Sequence, residues 1–260
     1  MDVDRVVLQG RSRSGPQGSG RAALALAQTS EVPVDRVAGE RRRRRPTKSG
    51  GVLSEDAIVE CAVRLIGHHG HEALTVRRLG AALGCDPTAI YRYFRGTDDL
   101  LLAIADFLIG ETLVGYRPGP DWSASLRDLG LRVRDGYLRH PRVAAVAASR
   151  VTRRHNEFRA VEIGVSLLLS AGFPPADAVR YYQAFIDTVL AHAALEASFA
   201  ALAPEVRAAD DRSWAETYNS LPEGDYPGIS IVRRHLPEGM SGSAFEDVLD
   251  MLLESLARRV

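Results

Sequence analysis

The stretch Leu74–Phe94, LTVRRLGAALGCDPTAIYRYF, leaves few folds open. It reads as two short helices joined by a tight turn. Thr75 suits an N-cap, where its hydroxyl accepts from a free N–H of the first turn. Leu79 and Leu83, four residues apart, share one face. Gly84 then ends the helix, because glycine takes the left-handed exit conformation without steric cost. Asp86 suits the cap of the second helix, and Pro87 its first position, where no N–H is needed. Ile90 and Phe94 face inward. Thr88, Ala89, Tyr91, Arg92 and Arg95 are left on the other faces, with shape and chemistry suited to a DNA major groove.

An ordinary helical hairpin buried in a core has the same period. Charge favours the nucleic-acid reading. From Leu74 to Arg95 there are four arginines and one acid, a local net of +3 in a chain whose formal net charge is zero. Such a cluster suits a polyanion.

The run LTVRRLGAALG…DPTAIYRYFRGTDDLL, within Ser54 to Ala103, resembles the DNA-binding domain of the TetR family of bacterial transcriptional repressors. The order of cap, leucines, glycine turn and Tyr-x-x-Phe ending carries the resemblance. It implies an all-α protein. A three-helix helix-turn-helix domain over 51–97 precedes a helical effector-binding and dimerisation domain over 98–260. One departure is Thr97, where the family usually has a phosphate-contacting lysine. Thr97 can cap the next helix and donate a hydroxyl, but it carries no charge.

At 260 residues the chain has ample material for a core. No apolar run approaches the roughly 20 residues that span a bilayer, and Ala22–Ala27 is too short and poorly flanked for a signal core. A cytoplasmic location is the expectation. Cys61 and Cys85 read as small core residues, not a disulfide framework. Residues 1–50 are rich in Gly, Ser, Pro and Arg and read as disordered. They hold eleven basic and five acidic residues, which leaves the remainder at −6. The run Arg41–Arg45 fits a basic arm along phosphates or in a minor groove. The favoured reading is a solvated tail, or translation begun upstream of the natural start, because charge runs are usually just solvated.

Downstream the helical period recurs between breakers. Ser54 caps a first helix to His69, with Glu55 and Asp56 at its positive end. Leu53 before the cap can staple onto Ile58. His68, His69 and His71 lack a supporting Cys or carboxylate cluster and read as a helix-end turn, so no metal is expected. A helix from Thr97 links the hairpin to the rest. Segments Trp122–Arg139, Pro141–Arg150, Asn156–Ala171, Pro174–Ala201, Pro204–Asn219 and Ser243–Val260 follow. Between the last two, Asn219–Gly242 is dense in Pro and Gly and reads as a long loop.

Tyr226–Pro227, Phe245 and the spaced leucines to Leu256 are similar to the C-terminal regulatory domain of the tetracycline-repressor subgroup. That likeness implies dimerisation through the alanine-rich stretch Ala184–Ala201 and the final helix, and a small-molecule pocket. A homodimer sets two reading helices one DNA turn apart, about 34–36 Å, on a palindrome. Polar tips within apolar helices are the effector candidates: Tyr137, His140, Asn156, Tyr182, Asp187 and His192. Taken singly, each reads more readily as a satisfied core or surface polar group. For DNA, Thr88, Ala89 and Arg92 are expected at base edges. Thr75, Arg77 and Thr97 are expected at phosphates, with Pro87 opening the reading helix and Tyr91 and Tyr93 on phosphate or sugar.

The implied function is a repressor that binds double-stranded operator DNA and is released by a small-molecule effector, with no cofactor. An architectural DNA binder without effector is the alternative, although about 160 residues exceed what dimerisation needs. No Gly-rich phosphate loop, nucleophile elbow or H-E-x-x-H motif supports an enzyme.

Overall fold

The structure is a computed structural model that describes residues 53–147 and 150–260; the basic segment 1–50 lies outside the described residues. Eleven α-helices and four 3₁₀ turns make up the described chain, with no strand among them. Helices α1 (Glu55–His69), α2 (Val76–Leu83) and the 3₁₀ helix Pro87–Arg92 form the N-terminal module. Then come α3 (Thr97–Leu113), α4 (Trp122–Arg139), α5 (Pro141–Ala147), α6 (His155–Ser170), α7 (Pro175–Ala200) and α8 (Pro204–Glu216). Short α9 (Pro227–Val232) and α10 (Leu236–Ser241) precede α11 (Phe245–Ala257).

The caps follow side-chain chemistry. Ser54 Oγ accepts from Ala57 N at 3.1 Å, and Gly70 ends α1 with φ +77° and its N–H on Ile66 O. Leu53 and Ile58, the staple pair, are buried in the same core. The tract 219–242, expected as a loop, holds α9 and α10. Pro227 and Pro237 sit in the first turns of these helices, where a missing N–H costs nothing, so they start helices as well as breaking them.

Two apolar cores result. The first gathers Ile58, Ala62 and Ile66 of α1, Leu79, Ile90 and Phe94 of the hairpin, Leu100, Ile104 and Leu108 of α3, and Val143 of α5. The second gathers Leu126, Leu129 and Val133 of α4, Leu168 of α6, Phe185 and Val189 of α7, and Phe245, Leu249 and Leu253 of α11. Helix α3 serves both, since its last leucine, Leu113, packs in the second core. A displacement of α3 is therefore felt in both.

Ion pairs fix α11 and α7 on α4. Arg127 reaches Asp250 at 2.6 Å and Glu246 at 2.8 Å, and Arg134 reaches the largely buried Glu196 at 2.6 Å. The Arg127 hydrogen bond holds the Asp250 carboxyl below its ordinary range. Among the described residues no single helix is long and apolar enough to cross a membrane.

Candidate functional site

The hairpin is held by tight backbone approach. Thr75 caps α2 by accepting from Arg78 N at 3.2 Å, and Gly84 ends it in the left-handed conformation, φ +63° and ψ +33°. Gly80 is the crossing point. A Cβ there would stand 3.0 Å from Pro87 Cα and 3.1 Å from the Cys85 carbonyl, both backbone atoms that cannot swing aside. Sequence reading passed over Gly80, because a glycine inside a helical pattern reads only as a weak helix former.

The second helix differs from expectation. Pro87–Arg92 winds as a 3₁₀ helix, with Ala89 N bonded to Asp86 O and Tyr93 N to Ile90 O, both at 2.9 Å. Six residues offer few i to i−4 bonds, and short helices tighten accordingly. Residues three apart eclipse in this geometry, so Thr88 lies above Tyr91 and Ala89 above Arg92. Arg92 is long enough to emerge and is exposed. Ala89 is 7% exposed and packed in the first core, which removes it from the outward face. Asp86 caps the turn, accepting from Thr88 N at 2.8 Å and Thr88 Oγ1 at 2.7 Å. These two bonds hold the Asp86 carboxyl below its ordinary range. The Thr88 proton is thereby committed, and its methyl is left for contact.

Tyr91 is 57% exposed, whereas Tyr93 donates its hydroxyl to Leu53 O at 2.6 Å and ties the turn to the start of α1. Thr97 is the first residue of α3 and not its cap. Gly96 occupies that position without a side-chain bond, and Asp99 Oδ2 accepts from Arg95 N at 3.0 Å instead. Arg77, Arg78, Arg92 and Arg95 are all exposed, and none makes a side-chain hydrogen bond or ion pair among the described residues. The hairpin and the turn after it thus present four exposed guanidiniums that no side chain ties down, the kind of group that phosphates take up.

The second core encloses a cavity of about 350 Å³, between α3, α4, α6 and α7. Its walls are largely apolar, with Ile109, Leu129, Val133, Ile186 and Leu190 among them. Three of the six expected residues line it. Tyr137 and Tyr182 are buried, their hydroxyls have no hydrogen-bond partner among the described residues, and Asp187 stands at the exposed edge, bonded by Gln183 at 2.7 Å. Burial pushes both phenols up to about 12, with the Glu157 charge adding to the effect at Tyr182. Tyr182 lies across Gly164, where any Cβ would overlap its ring.

The other three are elsewhere. Asn156 Nδ2 donates to Asp106 Oδ2 at 3.0 Å and is absorbed in a structural network. His140 Nε2 pairs with Glu111 at 2.9 Å, behind the cavity wall. His192 stacks edge-on against Phe245, ring centroids 6.1 Å apart. In sequence all six look alike, because helical period does not say which side of a two-sided helix meets the void.

The residues that sequence reading missed join cavity to hairpin. Arg150, Val151 and Glu157 line the cavity. Arg150 pairs with Asp98 at 2.7 Å, and Arg154 pairs with both Glu55 and Asp99 at 2.7 Å. Glu55 begins α1, and Asp98 and Asp99 lie in the first turn of α3. Beneath them the buried Asp106 accepts from Thr152 Oγ1 at 3.2 Å and Glu157 N at 3.0 Å, capping α6 from a neighbouring helix. Glu157 accepts from Thr152 N at 3.1 Å and Arg153 N at 2.7 Å, and Arg153 adopts φ +56°, uncommon outside glycine. Asp99 is held below the ordinary carboxylate range, first by the Arg95 N–H and then by Arg154.

A charged helix-turn-helix above a helical domain with a small-molecule-sized cavity defines a class: the one-chain transcriptional regulators that join a DNA-reading module to a ligand chamber. The chain belongs to the tetR family of bacterial regulatory proteins. The pattern described as "Bacterial regulatory proteins, tetR family" matches residues 58–104, and "Tetracyclin repressor-like, C-terminal domain" matches 116–260. An HTH-type transcriptional regulator of Saccharopolyspora erythraea is 26% identical over 189 residues, covering 73% of this chain and 78% of that protein. The HTH-type transcriptional repressor DrrR1 of Streptomyces coeruleorubidus is 32% identical over 151 residues, 54% of each chain, so this chain spans about half of its length. ActR of Streptomyces coelicolor, in its crystal structure with actinorhodin, shares the fold at TM-score 0.69 and 24% identity, covering 78% of this chain and 95% of ActR. These relatives are regulators, not enzymes.

Proposed function

We propose that this chain is a cytoplasmic, ligand-responsive repressor that binds a palindromic operator as a homodimer and is released by a small molecule in the α3–α4–α6–α7 cavity. The observation that carries the reading is the run 150–157. It forms part of the cavity wall and, through Arg150 and Arg154, also grips the starts of α1 and α3. A ligand that displaces Val151 or Glu157 must strain or break those pairs. Rigid-body movement of α3 then alters the distance between two reading turns, which is enough to spoil a two-site fit.

In this reading Arg92 reads a base edge, with Thr88 and Tyr91 beside it, while Arg77, Thr75 and Thr97 hold phosphates. Ala89 has no such role, and the Tyr93 hydroxyl is a clamp on Leu53. Tyr137, Tyr182 and Asp187 are the polar contacts of a mainly apolar ligand. The volume lies at the lower end of small-molecule sites. ActR, which shares the fold, has been crystallised with actinorhodin. Dimerisation uses the outer stripe Ala191, Leu195 and Phe199 of α7 with Met251 and Leu252 of α11. Leu195 and Met251 are 67% and 61% exposed, and the other face of each helix is in the core. An architectural DNA binder would have no use for a chamber with two unpartnered phenols.

The test is reciprocity. A thermal-shift screen of small, largely apolar compounds supplies a ligand, and its affinity is then measured with and without operator DNA. Linkage requires both affinities to fall by one factor. Equal ligand affinity in the two conditions contradicts the reading.

A further inference from the structure

The effector cavity is not the only concave site. A second, more open groove of about 610 Å³ lies where the end of α1 meets the α4–α5 and α7–α8 junctions. Its lining includes Arg139, Arg142 and Arg207, together with His140, and no carboxylate. Neither the Arg139 nor the Arg207 side chain has a hydrogen bond or ion pair among the described residues. Arg142 donates only to carbonyls, Gly67 O and His68 O, both at 3.1 Å. The Nε of Arg207 is fully buried and without an acceptor. An orphaned, buried, charged donor is costly, and native structures retain one only where something completes it. Helix α8, 13 residues long, opens at Pro204 on the groove rim with no side-chain cap, and the exposed Glu205 in its first turn offsets its positive end, so the field of the groove comes from the arginines.

We propose that this groove is a second ligand site, separate from the effector cavity, that takes a small multivalent oxyanion of the phosphate or polycarboxylate type. Arg207, half-buried and lining the groove, supplies a guanidinium from its α8 side. Arg139 and Arg142 supply the flanking guanidiniums, whose planar forks match carboxylate and phosphate oxygens. His140 is paired with Glu111, so the charge left for the bound anion to neutralise is that of the three guanidiniums. The anion also sits against Arg142, the residue that holds the last turn of α1, so occupancy bears on the seating of the DNA module.

The test is calorimetric titration of the full chain with inorganic pyrophosphate and, separately, with citrate, at constant ionic strength. Arg207→Gln, Arg207→Lys and Arg92→Ala are titrated alongside. Basic residues on the DNA face also attract anions, so the diagnostic quantity is the component that depends on Arg207. The expected result is one saturable site per chain for at least one probe. It weakens tenfold or more in Arg207→Gln and in Arg207→Lys, which keeps charge but lacks the planar fork, and it persists in Arg92→Ala. The probe that binds more tightly identifies the phosphate or the carboxylate source. No whole residue of α8 is buried, and Arg207→Gln removes an unpartnered buried donor, so the Arg207 variants should melt no lower than the parent. Isotherms unchanged by either Arg207 variant, or no saturable component with either probe, overturn the site.

Discussion

Removing the guanidinium of Arg154 should unfasten the DNA module from the cavity wall. Arg154→Gln abolishes two 2.7 Å contacts, to Glu55 and Asp99, made by a side chain about three-quarters buried. Exposed pairs contribute about 0.2–1 kcal/mol each, and hydrogen bonds to charged groups about 1.5–3 kcal/mol. Glu55 is half exposed and regains water, and Asp99 keeps its bond from Arg95 N, so neither acid is left stranded. A loss of about 1–2 kcal/mol follows. With a urea slope near 3 kcal/mol/M, the midpoint falls by about 0.3–0.7 M. Stability alone does not identify a coupling, so the second readout is amide exchange. Protection should drop in 55–69 and at the start of α3 while α4 and α7 keep theirs. Under the proposed function, ligand should still bind Arg154→Gln but release operator less effectively. An unchanged urea midpoint together with unchanged exchange in α1 would refute the mechanical link.

Four further outcomes are expected. Gly80→Ala drives a methyl into Pro87 and Cys85 backbone; overpacking costs about 1–3 kcal/mol, and operator affinity should collapse in a gel-shift assay while ligand binding survives. Arg92→Ala should lose about 1–3 kcal/mol of base discrimination, read as a flattened position in the selected site; Arg77→Ala should weaken all sequences alike and lower the salt slope. Gly164→Ala pushes the Tyr182 ring towards the cavity and should reduce ligand affinity in calorimetry more than it alters the melting temperature. Asp99 has a depressed folded value, so its stabilisation is present above the ordinary carboxylate range and lost as pH falls through that depressed value. The stability gap between the parent and Arg154→Gln should therefore narrow as the pH falls through and below the ordinary carboxylate range in urea titrations.

The hairpin was legible because its signals are local. Thr75, Gly84 and Asp86 act on backbone within three residues, and each does in the structure what its side chain dictates. The exposure of the arginines was legible as well, since four of them share a short stretch with the single acid Asp86. The pitch of Pro87–Arg92 was not. A six-residue turn can be α or 3₁₀, and that choice decides whether Ala89 points out or in. The proline-rich tract before α11 was misread because proline both ends and begins helices. The cavity was legible only in outline. Tyr137 and His140 stand three residues apart on one helix, yet one meets the void and the other meets Glu111. The ion pairs of the run 150–157 were invisible, because Arg154 lies 55 residues from Asp99 and 99 from Glu55. Only the packing of α3 against α6 brings them together.

The most direct measurement is selection of the purified protein on random DNA duplexes, read by sequencing. The account predicts a palindrome whose half-sites are centred about one helical turn apart, or a multiple of it, with one position that loses its preference in Arg92→Ala. Enrichment of no motif, or of a single half-site that Arg92→Ala leaves intact, would contradict it.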